Sequence, residues 1–97
     1  MIIHADDTET KDGRTPYPLA GIEVTVKHFV IRVTTPGNPF RPHKHDQPEL
    51  WFIIDGEAVV TLEGEDHPVA ARDLIAIEPW VEHGLRAPRR AEWICLG

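Results

Sequence analysis

Apolar and polar residues alternate along much of the chain, which is the pattern of half-buried β-strands. Residues 22–34 contain neither Gly nor Pro and are rich in β-branched side chains, which favour strands. The alternation runs through residues 22–26 and again through 29–33, but its parity changes near Lys27-His28. The pattern therefore predicts either one strand with a bulge or two strands with a bend.

Beyond residue 48 the alternation recurs in short segments separated by turn residues. Strands are predicted at residues 50–54, 58–62, 69–71, 74–77, 81–86 and 91–96, with tight turns at Asp55-Gly56 and at 64–66. No segment keeps a helical period for three turns. Strands at this short, regular spacing predict an antiparallel sandwich or barrel. Residues 1–21 are interpreted as an extended arm that can supply one edge strand, and residues 22–97 as one β domain.

One predicted strand carries more information than the others. Residues 50–54 are apolar at both parities, whereas a strand with one solvated face alternates with polar residues. Both faces of this strand must therefore be covered. In a chain of this size a second subunit is the expected cover, so the sequence predicts a homodimer.

Length and composition narrow the class of protein. A chain of 97 residues favours a single domain. Its 16 acidic against 10 basic residues provide no basic surface for nucleic acid or for an anionic membrane. Cys95 is the only cysteine, so no intrachain disulfide forms, and we expect it to be a buried packing residue. The first residues lack signal-peptide features, which favours a cytoplasmic location.

His43 and His45 are separated by one residue, so on an extended backbone both imidazoles point to the same side. Two imidazoles on one side can chelate a divalent cation. The pair alone is a weak signal, because two histidines near the surface fit the same spacing.

The residues around this pair make the signal specific. Gly37 is followed after five residues by His43-Lys44-His45, after three more by Glu49 and after six more by Gly56. With these residues at this spacing, the sequence resembles the first motif of the cupin superfamily. The resemblance implies an all-β fold, a double-stranded β-helix or jelly-roll barrel, which agrees with the independent strand pattern.

The second cupin motif matches less well. In the corresponding residues 72–83, Arg72 and Trp80 stand at the usual Gly positions and Glu78 at the usual Pro position. Ala87 stands at the late Asn position, whereas His83 is in register with the metal-binding histidine of the family.

The resemblance implies a metal site with four ligands: His43, His45, Glu49 and His83. Three imidazoles and one carboxylate suit Fe(II), Mn(II), Ni(II) or Zn(II), and leave two positions open on an octahedral ion. Glu49 as a solvated strand residue and His83 as a loop histidine are the alternatives. The remaining histidines match no motif and are expected at the surface or in strands: His4, His28 and His67.

Several other side chains are candidates for a substrate pocket. Trp51 and Ile53 share the parity of Glu49, so they either line a hydrophobic cavity wall or fill the core. Trp80, just before His83, either narrows the pocket mouth or also packs in the core. A basic cluster near the end of the chain either holds a substrate carboxylate or is a solvated surface: Arg86, Arg89 and Arg90.

The resemblance leaves three functions open, because cupins share a scaffold across many chemistries. The first is a metal-dependent dioxygenase acting on a small oxygen-bearing molecule. The second is a metal-dependent isomerase or lyase acting on a sugar acid or keto acid, in which Glu78 or Glu82 is a candidate base that no spacing singles out. The third is a non-catalytic module that binds a small molecule.

Overall fold

The computed structural model describes all 97 residues and contains eight β-strands and one short 3₁₀ turn. The turn spans Ala5–Asp7. The strands are β1 (Ile2–Ile3), β2 (Phe29–Thr34), β3 (Phe40–His43), β4 (Glu49–Leu62), β5 (Glu65–Ala70), β6 (Leu74–Ile77), β7 (His83–Arg86) and β8 (Ala91–Leu96). The all-β prediction is confirmed. None of its helical segments has the length and apolar character needed to cross a membrane.

Two antiparallel sheets share the long strand β4. In the first sheet the strand order is β1-β6-β4-β8-β2, and in the second it is β3-β7-β4-β5. The first half of β4 pairs with β6 and β8, and the second half pairs with β5 and β7. The chain therefore passes from one sheet to the other within a single strand.

Gly56 makes this passage possible. Its φ is +87°, and a Cβ at this position would lie 2.1 Å from the carbonyl oxygen of Arg90. The register of β4 against β8 shifts between Ile53 and Asp55, which is the signature of a bulge. The tight turn predicted at Asp55-Gly56 is wrong, because the chain bends here without reversing its direction.

Other strand boundaries also differ from the sequence pattern. Residues 22–26 form no strand. The ladder between β2 and β8 ends at the pair His28 and Gly97, so no strand lies opposite residues 22–26. β5 begins earlier than predicted, at Glu65, directly after a turn in which Glu63 and Gly64 both have positive φ. This two-residue turn matches the twist of a hairpin.

The core lies between the two sheets and is built from the strand side chains that point inward. Trp51 and Trp93 are completely buried, and their ring centroids lie 4.6 Å apart. Phe40 meets both indoles edge-on at 5.4 Å. Cys95 is 2% exposed, in agreement with the prediction of a packing residue. These aromatic rings fill the barrel directly below His43 and His83.

The outward face of the first sheet is also apolar. On β4, the ring of Phe52 is met edge-on by Tyr17 of the N-terminal arm, at a centroid distance of 5.9 Å. Strand β2, at the edge of the same sheet, has no such cover, and its outward side chains are 44–59% exposed: Phe29, Ile31 and Val33. The arm therefore covers part of the second face of β4 but leaves an apolar strip on β2.

Candidate metal centre

Three histidines converge at one end of the barrel. His43 ends β3, His83 begins β7, and the two are opposite each other in the ladder. His45 follows two residues after His43, and its ring lies 4.8 Å from that of His83. One ring nitrogen from each of the three lies within 4.8 Å of the other two.

The hydrogen bonds of these rings leave nitrogen lone pairs free. His83 Nδ1 lies 2.7 Å from the carbonyl oxygen of Val81, and His43 Nδ1 lies 3.0 Å from that of Arg41. Because a carbonyl oxygen only accepts, Nδ1 carries the proton in both rings and Nε2 is a free donor atom for a metal. Nε2 of His83 is buried with no hydrogen-bond partner, as is Nδ1 of His45.

Burial reinforces this assignment for His83, whose side chain is fully shielded from solvent. Desolvation lowers the pKa of His83, and the neighbouring His43 and His45 lower it further. The hydrogen bond to Val81 and the charge of Glu49 act in the opposite direction but do not prevail. The ring is therefore neutral near neutral pH, which is the form that binds metals.

Glu49 completes the group from the other sheet. It is the first residue of β4, is 8% exposed and points inward. One carboxylate oxygen lies 3.6 Å from Nε2 of His83, and the other lies 3.6 Å from Nε2 of His45. The structure thus brings all four sequence-predicted ligands together. Unpartnered buried nitrogens beside a carboxylate fit a divalent ion, since leaving such atoms unsatisfied costs about 1–3 kcal/mol.

His28 also reaches this site, and sequence reasoning missed it. Its Nε2 lies 3.9 Å from a carboxylate oxygen of Glu49. His28, Glu49 and the buried Cys95 form a second group whose ligand atoms lie within 4.8 Å of one another. Desolvation raises the pKa of the Cys95 thiol to about 11, and the charge of Glu49 adds to the shift. The parity change at Lys27-His28 was the one sequence signal that marked His28 as unusual.

The predicted pocket residues lie at different depths. Trp51 and Ile53 are both completely buried, and the ring of Trp51 lies 5.4 Å from that of His83, so it forms the floor of the site. Trp80 is 63% exposed, and its backbone N–H donates to the carbonyl oxygen of His45. Its φ of +64° is unusual for a residue with a side chain. A role for these three side chains in lining a substrate pocket stays a prediction.

The remaining candidates are all exposed side chains. Arg86 is paired with Asp66 on the solvent side of the second sheet, at 2.7 Å. Arg89 and Arg90 line a separate cavity of about 260 Å³ beside the bend at Gly56. Glu78 and Glu82 are exposed.

A cavity of about 330 Å³ lies next to Glu49 and His28. It is lined by the chain before β2, the loop before β4 and the C-terminal residue: Glu23, Thr25, Lys27, Asp46, Gln47, Pro48 and Gly97. Its lining carries one cationic and two anionic side chains. The cavity therefore has the size and polarity to hold a small polar molecule beside the chain neighbours of Glu49 and His28.

Two antiparallel sheets around an inward cluster of histidines define a β-barrel protein with a candidate metal centre. The family model described as "Cupin domain" matches residues 30–97. The chain therefore belongs to the cupin family, as the sequence motif predicted.

The chain is also similar to particular proteins. It is 32% identical over 66 residues to the dimethylsulfoniopropionate lyase of Ruegeria pomeroyi, which covers 66% of this chain and 43% of the relative. The chain thus spans less than half the length of this curated relative.

Among solved structures, an RmlC-like cupin from Shewanella frigidimarina matches with a TM-score of 0.66 and 24% identity, over 70% of this chain and 61% of the other. A protein from Thermotoga maritima, described as a predicted oxalate decarboxylase, matches with a TM-score of 0.67 and 24% identity, over 73% and 64%. At these identities the two likenesses show the fold alone.

Proposed function

We propose that the protein is a metal-dependent enzyme of the lyase class that acts on a small molecule bearing a carboxylate. The observation that carries the proposal is the convergence of three imidazoles at one end of the barrel, two of them 3.6 Å from Glu49, with the buried Nε2 of His83 lacking any hydrogen-bond partner. Such a donor set has no use in packing, because an unsatisfied buried nitrogen is destabilising.

His43, His45, His83 and Glu49 would hold a divalent transition metal such as Fe, Mn, Ni or Zn. A divalent ion bound there would act as a Lewis acid toward a substrate oxygen. His83, fully buried and held by Val81, anchors the set. Glu49 supplies its only negative charge, so the centre keeps a net positive charge and favours an anionic substrate group.

The lyase class is supported by the curated relative, which is named for dimethylsulfoniopropionate, a molecule that joins a carboxylate to a dimethylsulfonium cation. The cavity beside Glu49 suits such a zwitterion, because Lys27 lies in its lining together with Glu23 and Asp46. A lyase acting on such a molecule would break the carbon–sulfur bond as the neighbouring carbon loses a proton. A carbon–carbon double bond forms and neutral dimethyl sulfide leaves, so no oxidant is consumed. Sugar acids and keto acids remain further candidate substrates, because removal of a proton beside their carboxylate or carbonyl group likewise consumes no oxidant.

The experiment compares the protein loaded with Fe(II), Mn(II), Ni(II) or Zn(II), with and without oxygen. Dimethylsulfoniopropionate is the first probe, followed by a panel of sugar acids and keto acids, with substrate loss followed by NMR. We expect turnover without oxygen with at least one metal, and loss of turnover in His43→Ala. His67→Ala, which changes a histidine on β5, is the matched control. No anaerobic turnover of any probe with any metal would contradict the lyase assignment.

A dioxygenase is the second candidate, because three neutral imidazoles and one carboxylate leave open positions on an Fe(II) ion. The same experiment separates the two candidates. Oxygen consumption coupled to substrate loss, absent without oxygen, would favour the dioxygenase. Stoichiometric binding of a probe without conversion under either condition would favour a non-catalytic binding module.

We also propose that a second copy of the chain covers the apolar strip on β2. The strip continues the outward face of the first sheet, and Phe29 and Ile31 are each more than half exposed. Ile31→Glu should convert a dimer to a monomer in light scattering, whereas Ala71→Glu, an exposed site on the β5–β6 turn, should not. A wild-type chain that is monomeric at all concentrations would contradict this proposal. A cytoplasmic location and the lack of nucleic-acid and membrane partners stay predictions.

A further inference from the structure

Gly97 lies between two neighbouring segments of the chain, with His28 on one side and Glu49 on the other. The backbone N–H of His28 donates to the carbonyl oxygen of Gly97, and the N–H of Gly97 donates back to His28. On the other side, a Cβ on Gly97 would lie 3.2 Å from Cγ of Glu49 and 2.8 Å from the carbonyl oxygen of Pro48. Because Gly97 has no side chain, the carboxylate and the imidazole of His28 can approach each other above it.

Cys95 lies two pairs deeper in the same ladder. It is opposite Val30 of β2 on one side and Trp51 of β4 on the other. Its side chain points inward and is 2% exposed. The thiol therefore lies in the barrel interior, close to the carboxylate of Glu49. Ligand atoms of His28, Glu49 and Cys95 are all within 4.8 Å of one another.

We propose that His28, Glu49 and Cys95 form a second metal-binding position, adjacent to the three-histidine centre and sharing Glu49 with it. The two oxygens of Glu49 already face different partners, since one lies near His83 and the other near both His45 and His28. One carboxylate can therefore serve both positions. The position goes beyond the proposed lyase activity and does not depend on it.

The donor types determine which ions this position takes. An imidazole, a carboxylate and a thiolate form a mixed N, O and S set, which suits Zn(II) or Co(II) better than the harder Mg(II) or Mn(II). The thiol binds a metal only as a thiolate, so each ion bound releases the Cys95 proton to solvent. The side chain of His28 is 43% exposed, so the position can be reached from solvent through this residue.

The test is a Co(II) titration of the full chain, which follows bound metal by equilibrium dialysis and the near-ultraviolet charge-transfer absorption of a Co(II)–thiolate bond. We expect two Co(II) per chain and a charge-transfer band that saturates with one of them. Cys95→Ser should lose the band and one equivalent, while the other equivalent remains. His28→Ala should weaken the band-forming site by about tenfold or more, and His67→Ala should leave it unchanged.

His83→Ala separates this proposal from the proposed function. This variant should lose the Co(II) ion that gives no charge-transfer band. It should keep the other Co(II) ion together with its Co(II)–thiolate band. A folded wild-type chain with no band, or with one Co(II) in total, would overturn the second position. Circular dichroism shows whether Cys95→Ser folds. If it does not fold, His28→Ala decides: an unaltered band with two bound Co(II) ions in that variant would overturn the second position as well.

Discussion

The indole Nε1 of Trp51 donates a 3.1 Å hydrogen bond to Oε1 of Glu49, two residues earlier on the same face of β4. Both groups are buried. The bond joins the aromatic core to the candidate metal centre, because the same Trp51 ring packs on Trp93 below and lies beside His83 above. The packing of the barrel interior thus holds the carboxylate that faces the histidines.

Trp51→Phe tests this relationship. The variant keeps an aromatic ring in the core but removes the only indole donor to Glu49, and a hydrogen bond to a charged group contributes about 1.5–3 kcal/mol. We expect metal affinity to fall by about tenfold, as for other residues that orient a ligand. Trp93→Phe is the matched control, since Trp93 donates to Thr34 instead. It should lower the free energy of unfolding in urea and leave metal affinity unchanged. Equal loss of affinity in both variants would contradict a specific role for the bond.

Gly56→Ala should destabilise the barrel strongly. The new Cβ would lie 2.1 Å from the carbonyl oxygen of Arg90, and the backbone has φ +87°. Either the bend of β4 or the segment before β8 must move, which we expect to cost about 3 kcal/mol or more in unfolding free energy.

Gly13→Ala is the control, because its φ of +76° imposes similar backbone strain in open space. It should cost only about 1 kcal/mol. Urea unfolding of the two variants side by side measures the difference. Equal losses would mean that the contact with Arg90 is unimportant.

The four predicted ligands could be found from sequence because the residues from Gly37 to Gly56 resemble the first cupin motif, and His83 is in register with the second. His43 and His45 share a side of an extended segment, and Glu49 begins the next strand. His28 could not be found in this way, because its position depends on the pairing of β2 with β8, which no local pattern encodes. The Asp55-Gly56 error has a similar origin. A positive φ at Gly serves both a tight turn and a bulge, and only the strands opposite β4 decide between them.

Asp73 should hold the N-terminal arm against the barrel. Its carboxylate accepts hydrogen bonds from the backbone N–H groups of Ala5 and Ala70, and it lies 3.0 Å from Nδ1 of His4. Burial alone would raise the pKa of Asp73, but these hydrogen bonds lower it overall. We expect Asp73→Asn to reduce the free energy of unfolding by about 1–3 kcal/mol at pH 7.

The pH dependence of this effect follows from the direction of the shift. Because the folded pKa lies below the unfolded value near 3.8, the contribution of Asp73 is present above pH 3.8 and is lost as the pH falls through the folded pKa. The difference between wild type and Asp73→Asn in urea unfolding should therefore shrink at acid pH. A difference independent of pH would contradict a role for the ionised carboxylate.

Trp80 should carry backbone strain at the mouth of the candidate site. Its φ is +64°, its side chain is 63% exposed, and its N–H is held by the carbonyl oxygen of His45. Trp80→Gly and Trp80→Ala both remove the indole, but only glycine adopts this φ without penalty. We expect Trp80→Gly to be more stable than Trp80→Ala by about 1 kcal/mol in urea unfolding. If the indole contacts substrate, the two variants should raise KM by the same factor despite their different stabilities, because they lose the same ring. A KM that follows stability, and not the presence of the ring, would assign Trp80 to the fold of the turn alone.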